Sequence, residues 1–304
     1  MNPESPFEIH PPCLIEGMDH DLYHSDPWGP TLSRSIALAL VDESPKHAYA
    51  MHPRLGNSME EKATSAMGRG TTLHTLLLGA GQRLAIADFD SWRTNDAKEF
   101  KKSAIKDGAL PLLRKDHDKS VGAANAISAE LLKQGVDISE CASELSAFWV
   151  EENGVLCRCR WDLYDRDCTI YDFKIVNSAD TGAFSRNSVK KYGLDIQEVA
   201  YVRALEAIKP EKRGKAKLKF LLCEATPPYD CVQVDFGGVR RSIGESRWRR
   251  AMKLWKQCLE SGEWPGRGAA GGITVEAKPW ELEEEMESAT AGITNPGWLT
   301  GEGE

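Results

Sequence analysis

The sequence predicts an α/β fold, a mixed central β-sheet flanked by helices. Three observations carry this. Hydrophobic alternation of period 2 runs through residues 144–176, helical periodicity stands on either side of it, and the segments follow the order helix, strands, helix, strands, helix. The 304-residue length admits one large domain or two small ones.

Residues 1–30 are rich in Pro, Asp and His and read as an irregular arm. "LSRSIALALVDESPKHAYAMHP" predicts a helix that stops near Ser44, because proline disfavours a helical residue before it. A second helix is expected over residues 58–78, weakened locally by Gly68 and Gly70. "RTNDAKEFKKSAIKDG" reads as an exposed, mobile, basic segment. Helical spacing returns over residues 111–134, with Pro111 in a first turn and Val121, Ala124, Ile127 and Leu131 on one face.

Strands come next. In "SELSAFWVEE", Leu145, Ala147 and Trp149 alternate with Glu144, Ser146 and Phe148. In "VLCRCRWDLY", Val155, Cys157, Cys159, Trp161 and Leu163 share one face, with Arg158, Arg160 and Asp162 opposite. In "TIYDFKIV", Thr169, Tyr171, Phe173 and Ile175 oppose Ile170, Asp172, Lys174 and Val176, and the polar "DRDC" is short enough for a hairpin turn. A helix over residues 187–208 follows, then a basic loop, then two strands around Pro227–Pro228 in "LKFLLCEATPPYDCVQVDF". "SIGESRWRRAMKLWKQCLESGEW" predicts an amphipathic helix with Trp248, Met252, Trp255 and Leu259 on one stripe. Residues 267–304 read as a Gly-rich, then acidic tail.

Asp172 and Lys174, two apart on a strand, emerge on one face, and Asp162 lies on the polar side of the strand before it. The three converge if the hairpin register allows, which the sequence does not fix. Two carboxylates and an intervening backbone carbonyl make a hard-oxygen site suited to Mg²⁺ or Mn²⁺, and a lysine beside it can orient a water for in-line attack on phosphate. From spacing alone, an ordinary Asp–Lys surface pair is the commoner reading, because D-x-K recurs often by chance.

Other chemistries have less support. "CRC" at Cys157 and Cys159 raises a zinc or iron–sulfur site, but the pair lies on an apolar strand face without a C-x-x-C partner, as buried free thiols would. No G-x-x-x-x-G-K-[ST] loop points to ATP. No apolar run approaches the roughly 18 residues of a membrane span, and the N-terminal segment lacks a signal-peptide core, so a cytoplasmic protein is expected. A net charge of −8 argues against non-specific coating of nucleic acid. Basic stretches at 101–106, 209–219 and 240–256 are candidates for phosphate contact or plain solvated faces.

"WD" followed by "DFK" resembles the PD-(D/E)XK nuclease motif, with Trp161 where proline usually stands and Asp172 at the D/E position. "LSRSIALALVDESPKHAYA", "GRGTTLHTLLLGA", "ASELSAFWVEENGVLCRCRWD", "YDFKIVNSAD", "YGLDIQEVAYVRAL" and "EWPG" resemble, in order, phage and prophage RecE-type exonucleases (exonuclease VIII). The likeness covers roughly residues 30–266. It implies a restriction-endonuclease-like core over residues 31–266 and a metal set of His74, Asp162, Asp172, the Phe173 carbonyl and, less firmly, Glu144. It also implies that Gln197 and Tyr201, one helical turn apart, border the site beside Asp162, Asp172 and Lys174. Without the resemblance, His74 among its leucines reads as a core histidine and Tyr201 as seam packing.

What the resemblance implies in function is a Mg²⁺-dependent deoxyribonuclease, Mn²⁺ substituting and two ions bound. Such an enzyme resects linear double-stranded DNA from its ends, 5′ to 3′, for phage-type recombination. The implied partners are DNA ends, a single-strand annealing protein and further copies of the chain in a ring of three or four, with no membrane. An endonuclease or single-strand nuclease on the same fold, and an idle DNA-binding or interaction protein, are the alternatives.

Overall fold

The computed structural model describes residues 10–56, 65–272 and 274–294. In chain order the first elements are β1 (Cys13–Ile15), α1 (His20–His24), α2 (Arg34–Leu38), α3 (Pro45–Met51), α4 (Ser65–Leu78), β2 (Leu84–Ala87), α5 (Asn95–Lys106), β3 (Leu110–Leu113) and α6 (Arg114–Lys133). Then come β4 (Ala142–Val150), β5 (Leu156–Tyr164), β6 (Thr169–Val176), the single turn α7 (Thr181–Ala183), α8 (Leu194–Ile208), β7 (Lys217–Glu224), β8 (Cys231–Val234), α9 (Gly238–Ser261) and α10 (Pro279–Thr294). The chain divides into two units, residues 1–266 and 267–304; α10 is the helix of the second. No helix among the described residues is long and apolar enough to cross a membrane.

The main sheet has the order β1-β4-β5-β6-β7-β8, antiparallel throughout except for the parallel β6–β7 pair. Its two faces are both covered. One carries Leu145, Trp149, Trp161, Ile170 and Phe220 against α2, α8 and α9, which contribute Ile36, Ala200, Trp248 and Trp255. The other packs Leu163, Tyr171, Phe173 and Leu221 against α4 and α6. A third cluster sets Phe148 against Cys13 and Tyr23 of the arm. Covering both faces explains why Phe148, opposite the apolar face of its strand's alternation, is fully buried.

Several expectations are corrected. The segment read as an irregular arm contains β1, which pairs with β4, and α1. Residues 58–64 of the second expected helix lie outside the described residues; α4 supplies the rest. The basic segment read as mobile is α5, started by the Thr94 side chain accepting from the Ala97 N–H. Pro111 stands in β3, paired in parallel with β2, and the helix begins at Arg114. The helix expected from residue 187 begins at Leu194, because Phe184–Ser188 forms a π-turn and Gly193 takes φ +60°. Leu163 leaves the Trp161 face and joins the α4–α6 side. Leu259 is 40% exposed, whereas Trp248 and Trp255 are fully buried and are taken up by the chain's own core. The stop at Ser44 holds: its hydroxyl accepts from the His47 N–H and Pro45 opens α3.

Candidate active site

β5 and β6 pair only near their turn, at Leu163–Tyr171 and Tyr164–Ile170. Beyond these pairs the Asp162 carboxylate takes the place of a backbone acceptor, receiving the Phe173 N–H at 2.7 Å. This locates the site at an opening between adjacent strands. It also reconciles the two faces: Asp172 and Lys174 alternate with Phe173 toward α8, while Asp162 reaches α4.

On the α4 side, His74 Nε2 lies 2.9 Å from Asp162 Oδ2 and its Nδ1 lies 3.8 Å from Glu144 Oε1. One ligand atom from each of His74, Glu144 and Asp162 lies within 4.8 Å of the others, and all three are half-buried. Glu144 and Asp162 lie between the Ser143–Leu163 and Leu145–Trp161 pairs of β4 and β5, and Glu144 is in a left-handed conformation with φ +52°. For a non-glycine residue this costs about 1–3 kcal/mol, a strain that the surrounding structure must hold. Arg160 holds Glu144 from the side at 3.4 Å, and its Nη2 donates to the Met18 and Asp19 carbonyls of the arm at 2.9 and 3.3 Å.

On the α8 side, buried Asp172 forms an ion pair with Lys174 and accepts from Gln197 Nε2 at 2.5 Å. Lys174 Nζ in turn lies 3.4 Å from Gln197 Oε1. Gln197 thus orients both partners of the pair. Asp172 Oδ2 is the buried oxygen that faces the Lys174 ammonium. Tyr201, one turn along α8, is buried below the pair. The structure therefore brings His74, Glu144 and Asp162 into one cluster, with Asp172, Lys174, Gln197 and Tyr201 adjoining it. Phe173 enters through its N–H, donated to Asp162.

The electrostatics follow from this crowding. Burial opposes charge on His74, but Asp162 first, then Glu144 and Asp172, overcome it and push the imidazole up to about 9. Burial works against the Asp162 anion too, yet His74, Lys174 and the Phe173 N–H hold its carboxyl below the usual range. Glu144 is raised by burial and by Asp162. Asp172 is raised by burial, opposed by Lys174, and raised again by Asp162. Burial also pushes the Tyr201 phenol well up. A histidine forced into its cationic form marks a place where the carboxylates need positive charge.

Two contributors escaped the sequence reading. Arg34, at the start of α2, donates to the Tyr192 carbonyl at 3.0 Å and its field favours the Asp172 anion. Gly81, φ +108°, passes so close that a Cβ there would lie 3.8 Å from Glu144 Oε1. Neither has a local sequence signal. Cys157 and Cys159 are buried in the core facing α8 and α9, where burial raises both thiols well above their ordinary value.

The donor set fits a divalent cation: one imidazole and two carboxylates converge, with a third carboxylate, that of Asp172 paired to Lys174, nearby. No curated protein matches the chain. A solved structure from Eubacterium rectale, described as a "Putative exonuclease", has the same fold, with a TM-score of 0.56 at 12% identity over 86% of this chain and 95% of that one. The model of a family described as a PDDEXK-like domain of unknown function (DUF3799) matches residues 35–276. The mixed sheet, its flanking helices and the match over most of the chain place this protein in the PDDEXK-like DUF3799 family.

Proposed function

We propose that the chain is a metal-dependent deoxyribonuclease that degrades linear double-stranded DNA from its ends, 5′ to 3′, leaving 3′ tails for phage-type recombination. The observation that carries this reading is the convergence of Asp162, Asp172 and Lys174 with His74 and Glu144 at one strand opening. His74, Asp162, Asp172, the Phe173 carbonyl and Glu144 are the residues to hold Mg²⁺, or Mn²⁺ in its place, with two ions proposed. Bound there, the cation supplies charge neutralisation at the phosphate and acidifies a water.

The protein's own part is positioning. Lys174, fixed by Gln197 and Asp172, points an ammonium at the attacking water and holds it in line. Asp172 holds that ammonium in place and would be one of the carboxylates on the ion, so the proton of the water would pass to solvent and not to Asp172. Tyr201 backs Gln197 from the same helix face.

The finer reading includes a cytoplasmic setting, a single-strand annealing protein as partner and a ring of three or four copies. The ring is supported by charge: a chain at −8 neutralises few phosphates alone, whereas a ring turns several basic surfaces toward a threaded duplex.

The experiment compares linear and closed circular duplex with Mg²⁺, each strand labelled at its 5′ or 3′ end, with light scattering on the same protein. Linear DNA should lose its 5′-labelled ends first and circles should survive. Rapid nicking of circles makes the chain an endonuclease instead. A strict monomer removes the ring, and absence of cleavage with any divalent ion removes the nuclease.

A further inference from the structure

Residues 84–113 form a small lobe between α4 and α6, in which α5 crosses from β2 to its parallel partner β3. The inward side of α5 is small and apolar: Ala97 and Ala104 are buried, and Phe100 rests against Phe89 and Trp92. The outward side is segregated by charge. At about 100° per residue, Lys101, Ile105, Lys98, Lys102 and Lys106 fall in that order around one arc of roughly 140°, and Asp96 and Glu99 lie beyond it. The four lysines are exposed, and Ile105 among them is 57% exposed. None of the four is in a salt bridge with an acid among the described residues. Lys98–Lys101, Lys98–Lys102 and Lys102–Lys106 are like-charge neighbours at spacings that weaken a helix. A chain with a net charge of −8 thus keeps a repulsive cationic face on one helix.

The lobe is tied to α6 by surface contacts and begins at the site. Gly81, three residues before β2, is the glycine that passes Glu144. Arg114 of α6 pairs with Asp88, Lys115 donates to the Asp90 carbonyl at 2.7 Å, and Arg83 donates to the Asp107 carbonyl at 3.0 Å. α6 packs on α4, the helix of His74. A basic face is therefore joined through α6 to the helix that carries His74.

We propose that the α5 lysine face grips the phosphate backbone of the duplex being processed; this rests on the reading of the chain as a nuclease on double-stranded DNA. Lys98, Lys102 and Lys106 span about 12 Å along the helix axis. Over that length a duplex carries about seven phosphates, enough to engage all four ammonium groups. The contact is sequence-independent, because lysine meets phosphate as a point charge and reads no base edge.

The test is fluorescence anisotropy with labelled blunt duplex in chelator, across a salt series. It compares the parent with Lys98, Lys101, Lys102 and Lys106 all changed to Gln, and with the same four changed to Arg. The Gln variant should lose about 3.6 from the slope of log affinity against log salt and bind at least about tenfold more weakly near 0.15 M salt. The Arg variant should match the parent. In cleavage assays with Mg²⁺ the Gln variant should raise KM and leave kcat unchanged. A Gln variant with the parent's slope and KM overturns the proposal while leaving the nuclease reading intact. A parent that binds duplex through α5 but cuts nothing leaves the proposal standing and removes the nuclease. A parent that binds no duplex at any salt overturns it, and an acidic protein becomes the partner to seek.

Discussion

Metal binding to this site should expel close to one full proton at neutral pH, and that can be worked from His74. Asp162 and Glu144 push the imidazole up to about 9, against 6.5 ordinarily. At pH 7 a group at about 9 is about 99% protonated, whereas one at 6.5 is roughly a quarter protonated. Its folded value is raised, so its favourable pairing is fully present below pH 6.5 and is lost as pH rises through about 9. A cation binding the neutral imidazole must displace that proton. Isothermal titration of Mg²⁺ and Mn²⁺ in buffers of different ionisation enthalpy should therefore read at least about one proton released per site at pH 7. Glu144 and Asp172, both raised, can only add to it. The affinity should climb about tenfold per pH unit between 7 and 9 and flatten above, and His74→Gln should remove most of this dependence. Release of about a quarter of a proton would show that the imidazole is not held charged, and a proton count and pH dependence left unchanged by His74→Gln would refute the assignment of His74 to the metal.

Asp172→Asn and Lys174→Ala should each lower cleavage by at least about 10²-fold, with duplex affinity in chelator within about threefold of the parent; cleavage above a tenth of the parent rate would place the chemistry elsewhere. Gln197→Ala breaks one charge-assisted bond to Asp172 and one to Lys174, and should lower kcat by about ten- to a hundredfold with KM little changed. Gly244→Ala should destabilise the fold by about 1–3 kcal/mol in urea melts, because its Cβ would lie 2.3 Å from the Asp195 backbone carbonyl where α9 crosses α8, and backbone cannot yield as a flexible side chain would.

The site's strand half was legible because period 2 is a local property. Asp172 and Lys174 do share a face, and Asp162 does approach them. What the sequence does not encode locally is that Asp162 meets them through an opening in the sheet, since that depends on how few pairs join β5 to β6. His74, Glu144, Gln197 and Tyr201 came from resemblance rather than spacing, and the structure brings His74, Glu144 and Gln197 into contact with the acids. β2 and β3 escaped because each has four residues, too few for alternation to register, and because Pro111 argues against a strand unless it lies at an edge. α5 escaped because its lysines mask a narrow apolar face of two alanines and Phe100. The Thr94 cap and Asp96 in the first turn were its local signals.

The sheet carries a separate core on each face, and the carboxylates are divided between them: Asp162 looks toward α4, Asp172 toward α8. A cation held by both would act as a rivet through the sheet, fastening the layer on one face to the layer on the other. Ligand that binds only the native state adds stability by mass action, about 2.7 kcal/mol at a hundredfold excess over Kd. Here that gain would be delivered to both layers at once, so loosening either face would open the site. Starved of divalent ions, the α4–α6 layer and the α8–α9 layer should begin to melt apart; supplied with them, they should unfold as one.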